Sequence, residues 1–203
     1  MKTHLIALCL HFCSAIIGQE RILVLGNSEH LCLNHSNGSV YSFTDHLPGQ
    51  LDSFDIVAVF STAHSNLSKE NLDTLVSFLR SGGGLYIGCE NWPLLSEGNQ
   101  LTYSLLNKTF WGESTLNYSV EKDTRAVALS DIEHIEAGTT VVHFPLDHRL
   151  VVEVWSNDEP LILSSEAFGG RLILDGGYSR FYCNKKDISN VIWKKLIEYL
   201  SPP

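Results

Sequence analysis

The stretch from residue 55 to residue 89 constrains the fold more than any other part of the chain. It begins with the apolar run Asp55-Ile-Val-Ala-Val-Phe60 and ends with Leu85-Tyr-Ile-Gly-Cys89, and such runs are typical of buried strands. A helical pattern from Ser68 to Arg80 separates the two strands. Strands joined through a helix lie parallel in a sheet. The sequence therefore predicts a βαβ unit.

Other apolar runs extend this pattern on both sides. Arg21–Gly26 and Arg171–Asp175 are typical of buried strands, and Val40–Phe43 of a shorter strand. Short extended runs dominate residues 114–165, with a hairpin-like turn at Asn157-Asp158-Glu159-Pro160. We therefore expect an α/β fold: a flavodoxin-like three-layer sandwich with a mostly parallel central sheet plus an antiparallel addition.

Composition and charge limit what such a fold can do. The chain has 203 residues, 44% of them hydrophobic, which is enough for a buried core in a single domain. Its formal net charge of -9 argues against a nucleic-acid partner, because nucleic-acid-binding proteins need a basic face. The sequence lacks the phosphate-loop, H-E-x-x-H and G-x-S-x-G motifs, and we expect neither a cofactor nor a metal site.

The first residues are typical of a secretory signal peptide. Lys2 provides a positive start, Leu5–Ile17 is nearly apolar, and the small residue Gly18 precedes polar residues. The apolar run is shorter than the roughly 18 residues that a membrane-spanning helix needs. We therefore predict a signal peptide at residues 1–18 and one domain at residues 19–203. The expected location is extracellular or, in a bacterium, periplasmic, with no stable membrane insertion after cleavage; an uncleaved signal anchor is the alternative.

Cysteines and glycosylation motifs fit an oxidising compartment. Cys32, Cys89 and Cys183 remain after signal cleavage, so two of them can pair while one stays free. A bond between Cys32 and Cys183 is one possibility, because both belong near the same sheet edge; it requires Cα atoms closer than about 7 Å. The Asn-x-Ser/Thr pattern predicts a glycoprotein with these acceptors: Asn34, Asn37, Asn66, Asn107 and Asn117.

Four loops follow the predicted parallel strands, and parallel sheets bind ligands beyond the carboxyl ends of their strands. The loops are residues 26–30, 61–65, 89–92 and 175–183. In the last of them, glycines allow close approach to the backbone, and a carboxylate and a guanidinium can pair with each other or hold a polar ligand. The candidate ligand-binding residues in these loops are Asn27, Ser28, Asn91, Asp175, Tyr178 and Arg180.

Cys89 is the candidate nucleophile. It ends a buried strand, follows Gly88 and precedes a predicted helix, and a helix amino terminus favours a thiolate and offers backbone N–H donors. The alternative is a small buried residue that only packs at the strand end. A catalytic cysteine also needs a base that a third group orients. The candidates for these roles are His134 and Glu136, which form an H-x-E pair, His143 and His148.

Several runs occur in an order that is typical of one family. They are the strand after Asp55, the helix Ser68–Arg80, the run Gly-Gly-Gly-Leu-Tyr-Ile-Gly-Cys89 and the later run Gly-Gly-Arg-Leu-Ile-Leu-Asp-Gly-Gly177. Together they resemble the class I glutamine amidotransferase-like fold, over residues 20–200. The resemblance implies this fold for the whole domain.

Two departures bear on the activity that the resemblance implies. Enzymes of this class carry a G-x-C-x-G motif and, late in the chain, an H-x-E pair. Here position 91 is Asn rather than Gly, and the pair formed by His134 and Glu136 comes too early. The resemblance therefore implies a secreted or uncharacterised branch of the fold that lacks the full amidotransferase triad.

Two hypotheses about function follow. The first is a secreted, non-catalytic amidotransferase-like domain that binds an unidentified protein partner or small ligand at the carboxyl edge of the sheet. The second is a cysteine-nucleophile hydrolase in which Cys89 attacks the substrate and a histidine acts as base. A histidine nitrogen within about 4 Å of the Cys89 sulfur would favour the enzyme.

Overall fold

The computed structural model describes residues 19–33, 38–65, 67–110, 119–184 and 186–202, so the predicted signal peptide lies outside the described residues. Within these ranges the chain forms one eight-stranded sheet and three α-helices. The strands are β1 (Arg21–Gly26), β2 (Val40–Thr44), β3 (Ile56–Phe60), β4 (Gly84–Gly88), β5 (Val120–Lys122), β6 (Val151–Ser156), β7 (Glu159–Ser165) and β8 (Arg171–Asp175). The α-helices are α1 (Lys69–Arg80), α2 (Ser96–Leu106) and α3 (Lys186–Leu200), and a 3-10 helix spans Tyr178–Phe181.

The strand order of the sheet is β2-β1-β3-β4-β8-β7-β6-β5. Strands β2, β1, β3, β4 and β8 run parallel, and β7, β6 and β5 continue the sheet in antiparallel pairs. Asn157 and Asp158 connect β6 to β7 with positive φ angles of 50° and 64°. A two-residue hairpin loop needs such left-handed residues, and asparagine and aspartate adopt them more readily than most.

The prediction of a flavodoxin-like three-layer sandwich is wrong, and the fold is instead a mixed sheet with few helices. The described residues contain only three α-helices, too few to cover both faces of eight strands. One face packs against α1 and α2. The other packs against α3 and against irregular chain between β5 and β6, which buries Leu129, Ile132 and Val141. Apolar side chains can cover a sheet from irregular backbone, so this segment replaces a helical layer.

Helix α1 begins where the sequence indicates. The Ser68 side chain caps it by accepting a hydrogen bond from the Asn71 backbone N–H at 3.2 Å. Leu75, Val76 and Leu79 form its buried face, and burial of each such side chain contributes about 2 kcal/mol to the free energy of unfolding. The helix is the first helix after β3, and its amino end lies near the carboxyl ends of the strands.

The strand register brings the four predicted loops to one edge. Gly26 lies opposite Phe60, Phe60 opposite Gly88, and Gly88 opposite Asp175. Each of these four residues is the last residue of its parallel strand. The prediction that these loops share one edge of a parallel sheet is therefore confirmed.

Candidate functional site

Cys89 follows β4 at this edge, but its thiol points into the core beneath α2. The residue is 0% exposed, its Sγ lies 3.4 Å from Ser61 Oγ, and a Cβ added to Gly98 of α2 would overlap that sulfur. Burial raises the pKa of the Cys89 thiol far above its usual range, more than the hydrogen bond with Ser61 lowers it. The thiol is therefore protonated and shielded, which is the opposite of an activated nucleophile.

The candidate bases have other partners or face solvent. His143 Nδ1 lies 2.8 Å from Glu159 Oε2, and burial lowers the pKa of His143 while Glu159 acts in the opposite direction. The remaining members of the predicted set are the exposed His134 and His148 and the half-buried Glu136. Among the hydrogen bonds and ion pairs of the described residues, none joins Cys89 to a histidine.

Asp175 and Arg180 pair with each other inside the protein. Both side chains are 0% exposed, and Arg180 Nη1 lies 2.9 Å from Asp175 Oδ2. The Tyr86 hydroxyl donates to the same oxygen at 2.8 Å, and the Gly177 backbone N–H donates to the other oxygen at 3.0 Å. The carboxylate is thus fully engaged by the protein. It shapes the loop after β8 and offers nothing to a ligand at the surface.

The predicted ligand residues at the end of β1 also bond within the protein. Asn27 Nδ2 donates to the Tyr178 hydroxyl at 2.8 Å, and that hydroxyl donates to the Ser61 carbonyl at 3.0 Å. Burial raises the pKa of Tyr178, so its hydroxyl keeps its proton. The half-buried Ser28 lies in a turn, and its backbone N–H donates to the Gly26 carbonyl at 2.8 Å. The structure therefore brings Asn27 and Tyr178 together, but their hydrogen bonds connect the loops after β1, β3 and β8 to one another.

Glu90, which the sequence analysis did not single out, is a buried acid next to the thiol. It is 2% exposed, and its carboxylate accepts the Ser179 backbone N–H at 2.7 Å and the Thr140 hydroxyl. The same hydroxyl lies 2.9 Å from Asn91 Oδ1. Burial raises the pKa of Glu90 to about 7, although these hydrogen bonds oppose the rise. A charged residue directly after an apolar strand was the available signal for this group.

Residues 137–144, which we call the covering segment, lie across the ends of β4 and β8. The Val142 N–H donates to the Gly176 carbonyl at 2.8 Å, and the Thr139 N–H donates to Ser179 Oγ at 2.6 Å. A Cβ on Gly138 would meet Ser179 Oγ at 2.5 Å and Glu90 Oε1 at 2.6 Å, so the segment fits tightly there. This half of the carboxyl edge is therefore closed.

The Cys32–Cys183 disulfide is present, with Cα atoms 4.7 Å apart, so that possibility is confirmed. An antiparallel bridge between Leu31 and Tyr182 lies beside it. The bond ties the chain that follows β1 to the chain that precedes α3. Cys89 is the free cysteine among the described residues.

The other half of the carboxyl edge is open and contains a cavity of about 130 Å³, which we call the edge cavity. It is lined by Leu25, Gly26, Asp45, His46, Leu47, Thr62, Leu67, Asn71 and Glu97. These residues end β1, follow β2 and β3, or lie at the amino ends of α1 and α2. The chain leaves β1 toward β2 on one side and reaches β4 from β3 on the other, and ligands of open α/β sheets bind at such a reversal of strand order.

Glu97 is the most buried polar side chain of the edge cavity. It is 4% exposed and lies in the first turn of α2. Its carboxylate accepts both the Thr62 N–H and the Thr62 hydroxyl, each at 2.6 Å. Asp45 and His46 lie in the loop after β2, which is not among the four loops predicted to carry ligand-binding residues. The strand-end rule applied to Val40–Phe43 would have indicated that loop.

A larger groove of about 790 Å³ lies between residues 49–52 and the polar side of α1. It is shallow, and no strand end lines it, so we consider the edge cavity the better candidate. The described residues contain no cluster of three or more histidine, cysteine, aspartate or glutamate side chains placed to hold a metal ion. None of the described helices has the length and apolarity to cross a membrane.

One predicted glycosylation acceptor can be located. Asn107 is exposed and ends α2 in a left-handed conformation with φ 56°. The other acceptors lie outside the described residues: Asn34, Asn37, Asn66 and Asn117.

The mixed sheet with its parallel core defines an α/β protein, and solved structures with a similar fold are known. A cytoplasmic protein from Salmonella typhimurium matches with a TM-score of 0.67 and 8% identity, covering 89% of this chain and 99% of that protein. A ThuA-like protein from Bacteroides uniformis has a TM-score of 0.56 and 12% identity, with 90% and 91% covered. A ThuA-like protein from Parabacteroides merdae has a TM-score of 0.58 and 9% identity, with 90% and 89% covered.

These likenesses show the fold alone. The chain shares the fold of ThuA-like proteins, which resembles the class I glutamine amidotransferase fold. No protein-family model and no curated protein matches the sequence.

Proposed function

We propose that this chain is a secreted, non-catalytic domain of the amidotransferase-like fold that binds a small ligand in the edge cavity. One observation carries the proposal: the open half of the carboxyl edge holds a cavity at the reversal of strand order, between the ends of β1 and β3. Around Asp175 and Glu90, the protein's own side chains and the covering segment fill the edge.

Secretion is the part of the proposal that rests on the sequence. The apolar amino-terminal run and the acceptor motifs favour an exported glycoprotein. The Cys32–Cys183 disulfide supports the same conclusion, because such bonds persist in oxidising compartments and are rare in the cytosol. Intact-mass analysis of the protein secreted by cultured cells would test it: we expect cleavage after residue 18 and glycan mass. An intracellular, unmodified protein would contradict it.

Cysteine-nucleophile hydrolysis is the weaker alternative. The thiol of Cys89 is buried against Gly98, and burial raises its pKa, so neither access nor ionisation favours attack on a substrate. A thiol-reactive probe applied near neutral pH should leave Cys89 unlabelled in the folded protein and label it after unfolding. Rapid labelling of folded protein, lost in Cys89→Ala, would support the hydrolase instead.

Ligand binding is tested by blocking the edge cavity. Asn71 lines it from the third residue of α1, and the cap uses the Asn71 backbone rather than its side chain. Asn71→Trp should therefore fill the cavity while leaving the helix intact. Fragments that shift the amide NMR signals of Gly26 and Thr62 in the natural protein should no longer do so in the variant.

Ser77→Trp is the matched control. Ser77 is exposed on the same helix and lines the larger groove instead. If fragment binding is lost in Ser77→Trp but kept in Asn71→Trp, the larger groove is the site and the proposal is wrong.

A further inference from the structure

The edge cavity combines an apolar wall with acidic side chains. Leu25, Leu47 and Leu67 provide the apolar wall. Asp45 follows β2 and is exposed, whereas Glu97 begins α2 and is 4% exposed. Apolar surface beside carboxylates fits a ligand with a hydrocarbon part and a positively charged end.

His46 also lines the cavity, but no ion pair joins it to either carboxylate in the described part of the chain. Among the described residues, no salt bridge from a lysine, arginine or histidine reaches Asp45 or Glu97. Glu97 receives neutral donors only, from Thr62. A buried carboxylate without a counter-charge favours a cation as its partner. The formal net charge of -9 attracts cations to the surface as well.

The position of Glu97 also argues against an anionic ligand. Anions in α/β folds bind at helix amino termini, where free backbone N–H groups point outward. Here the carboxylate of Glu97 lies in the first turn of α2 and takes the Thr62 N–H at the end of β3. The protein's own acid thus accepts the N–H at this strand end and would repel a phosphate or carboxylate ligand placed there.

We propose that the edge cavity binds a primary alkylammonium ion, with the ammonium group at Asp45 and Glu97 and the alkyl chain against Leu25, Leu47 and Leu67. This inference rests on the proposed function, because it names the ligand class of the same cavity. A free amine and a lysine side chain share this chemistry. The cavity of about 130 Å³ has room for a chain of a few carbons.

Three probes of equal size and different charge test the inference: n-butylammonium, n-butanol and butyrate. Binding is measured at neutral pH from amide NMR shifts of Gly26 and Thr62. We expect n-butylammonium to bind at least about tenfold more tightly than n-butanol and butyrate not to bind. Capped lysine (Nα-acetyl-lysine methylamide) distinguishes the sources: binding as tight as that of the free amine indicates a lysine side chain, and binding restricted to n-butylammonium indicates a free amine.

Charge-removing variants complete the test. Asp45→Asn and Glu97→Gln should each weaken n-butylammonium binding several-fold without changing n-butanol binding, and Asp45 is exposed, so its variant should fold even if Glu97→Gln does not. Asp73→Asn, an exposed carboxylate of α1 outside the cavity, should have no effect.

The outcomes separate the two proposals. If n-butanol or butyrate binds as tightly as n-butylammonium and Asn71→Trp blocks it, the charge argument is wrong while the cavity remains a ligand site. If none of the three probes binds, this inference is wrong, and the proposed function is wrong as well if no fragment shifts the amide signals of Gly26 and Thr62.

Discussion

Replacing Glu90 with glutamine should change how the stability of this protein depends on pH. The side chain is 2% exposed, and burial raises its pKa from 4.5 to about 7 in the folded protein. In the unfolded chain the group titrates near its ordinary value. Between the two values the folded protein holds a proton that the unfolded chain has already lost. The free energy of unfolding is therefore greatest at low pH and falls as the pH rises through this window.

The magnitude follows from the difference between the two pKa values. A rise from 4.5 to about 7 corresponds to about 3 kcal/mol of stability lost between about pH 5 and pH 7. Glutamine has no carboxyl proton to lose. Its oxygen can still accept the Ser179 N–H, and its nitrogen can donate to the Thr140 hydroxyl. Glu90→Gln should therefore match the natural protein near pH 5 and exceed its stability by up to about 3 kcal/mol near pH 8.

Urea unfolding at several pH values, followed by tryptophan fluorescence, measures this difference directly. At each pH, the free energy of unfolding of the natural protein is subtracted from that of the variant. This difference cancels the pH dependence of all other groups that the substitution leaves unchanged. The exposed Glu133 supplies the control, because Glu133→Gln should give a difference near zero at every pH. A Glu90→Gln difference that stays constant from pH 5 to pH 8, or that favours the glutamate at high pH, would refute the reasoning.

Two other predictions concern buried connections. Asp175→Asn leaves the buried Arg180 without its carboxylate and should lower the free energy of unfolding by about 3–5 kcal/mol. Asp55→Asn, which removes the ion pair with the half-exposed Arg21, should lower the free energy of unfolding by about 1 kcal/mol or less. Equal losses for the two variants in urea unfolding would contradict the argument. Replacing Cys32 and Cys183 with serine removes a disulfide that joins residues 151 positions apart and should lower the free energy of unfolding by about 5 kcal/mol. Reductant should destabilise the natural protein to the same level and leave the double variant unchanged; a natural protein insensitive to reductant would contradict this.

The shared edge of the parallel strands could be predicted because it follows from local patterns and one topological rule. Two apolar runs and a capped helix indicate a βαβ unit, and parallel strands place their carboxyl ends together. The pairing of Cys32 with Cys183, one of the possibilities that the sequence left open, fits the same placement, since both flank that edge. These inferences need only the direction of each strand.

The predicted three-layer architecture failed for a reason that local patterns do not reveal. Residues 126–129 and 139–144 are apolar like strands, but they bury their side chains from irregular backbone. Whether an apolar run pairs into a sheet or covers its face depends on the space that other elements leave. The direction of the Cys89 thiol has the same origin, because Gly98 of α2 leaves room for the sulfur beneath the helix.

The two halves of the carboxyl edge show why reactive residue types in a sequence do not by themselves indicate a ligand site. In the closed half, polar groups are numerous and the protein itself supplies their partners. Asp175 pairs with Arg180, and the Glu90 carboxylate accepts a hydrogen bond from the Ser179 backbone N–H. Burial makes an unsatisfied polar group costly, so buried polar residues tend to satisfy one another. In the open half, the acid Glu97 accepts hydrogen bonds from the neutral donors of Thr62 and lines a cavity. Charge that the fold leaves uncompensated, beside space that the fold leaves empty, is therefore the stronger indication of where a ligand binds.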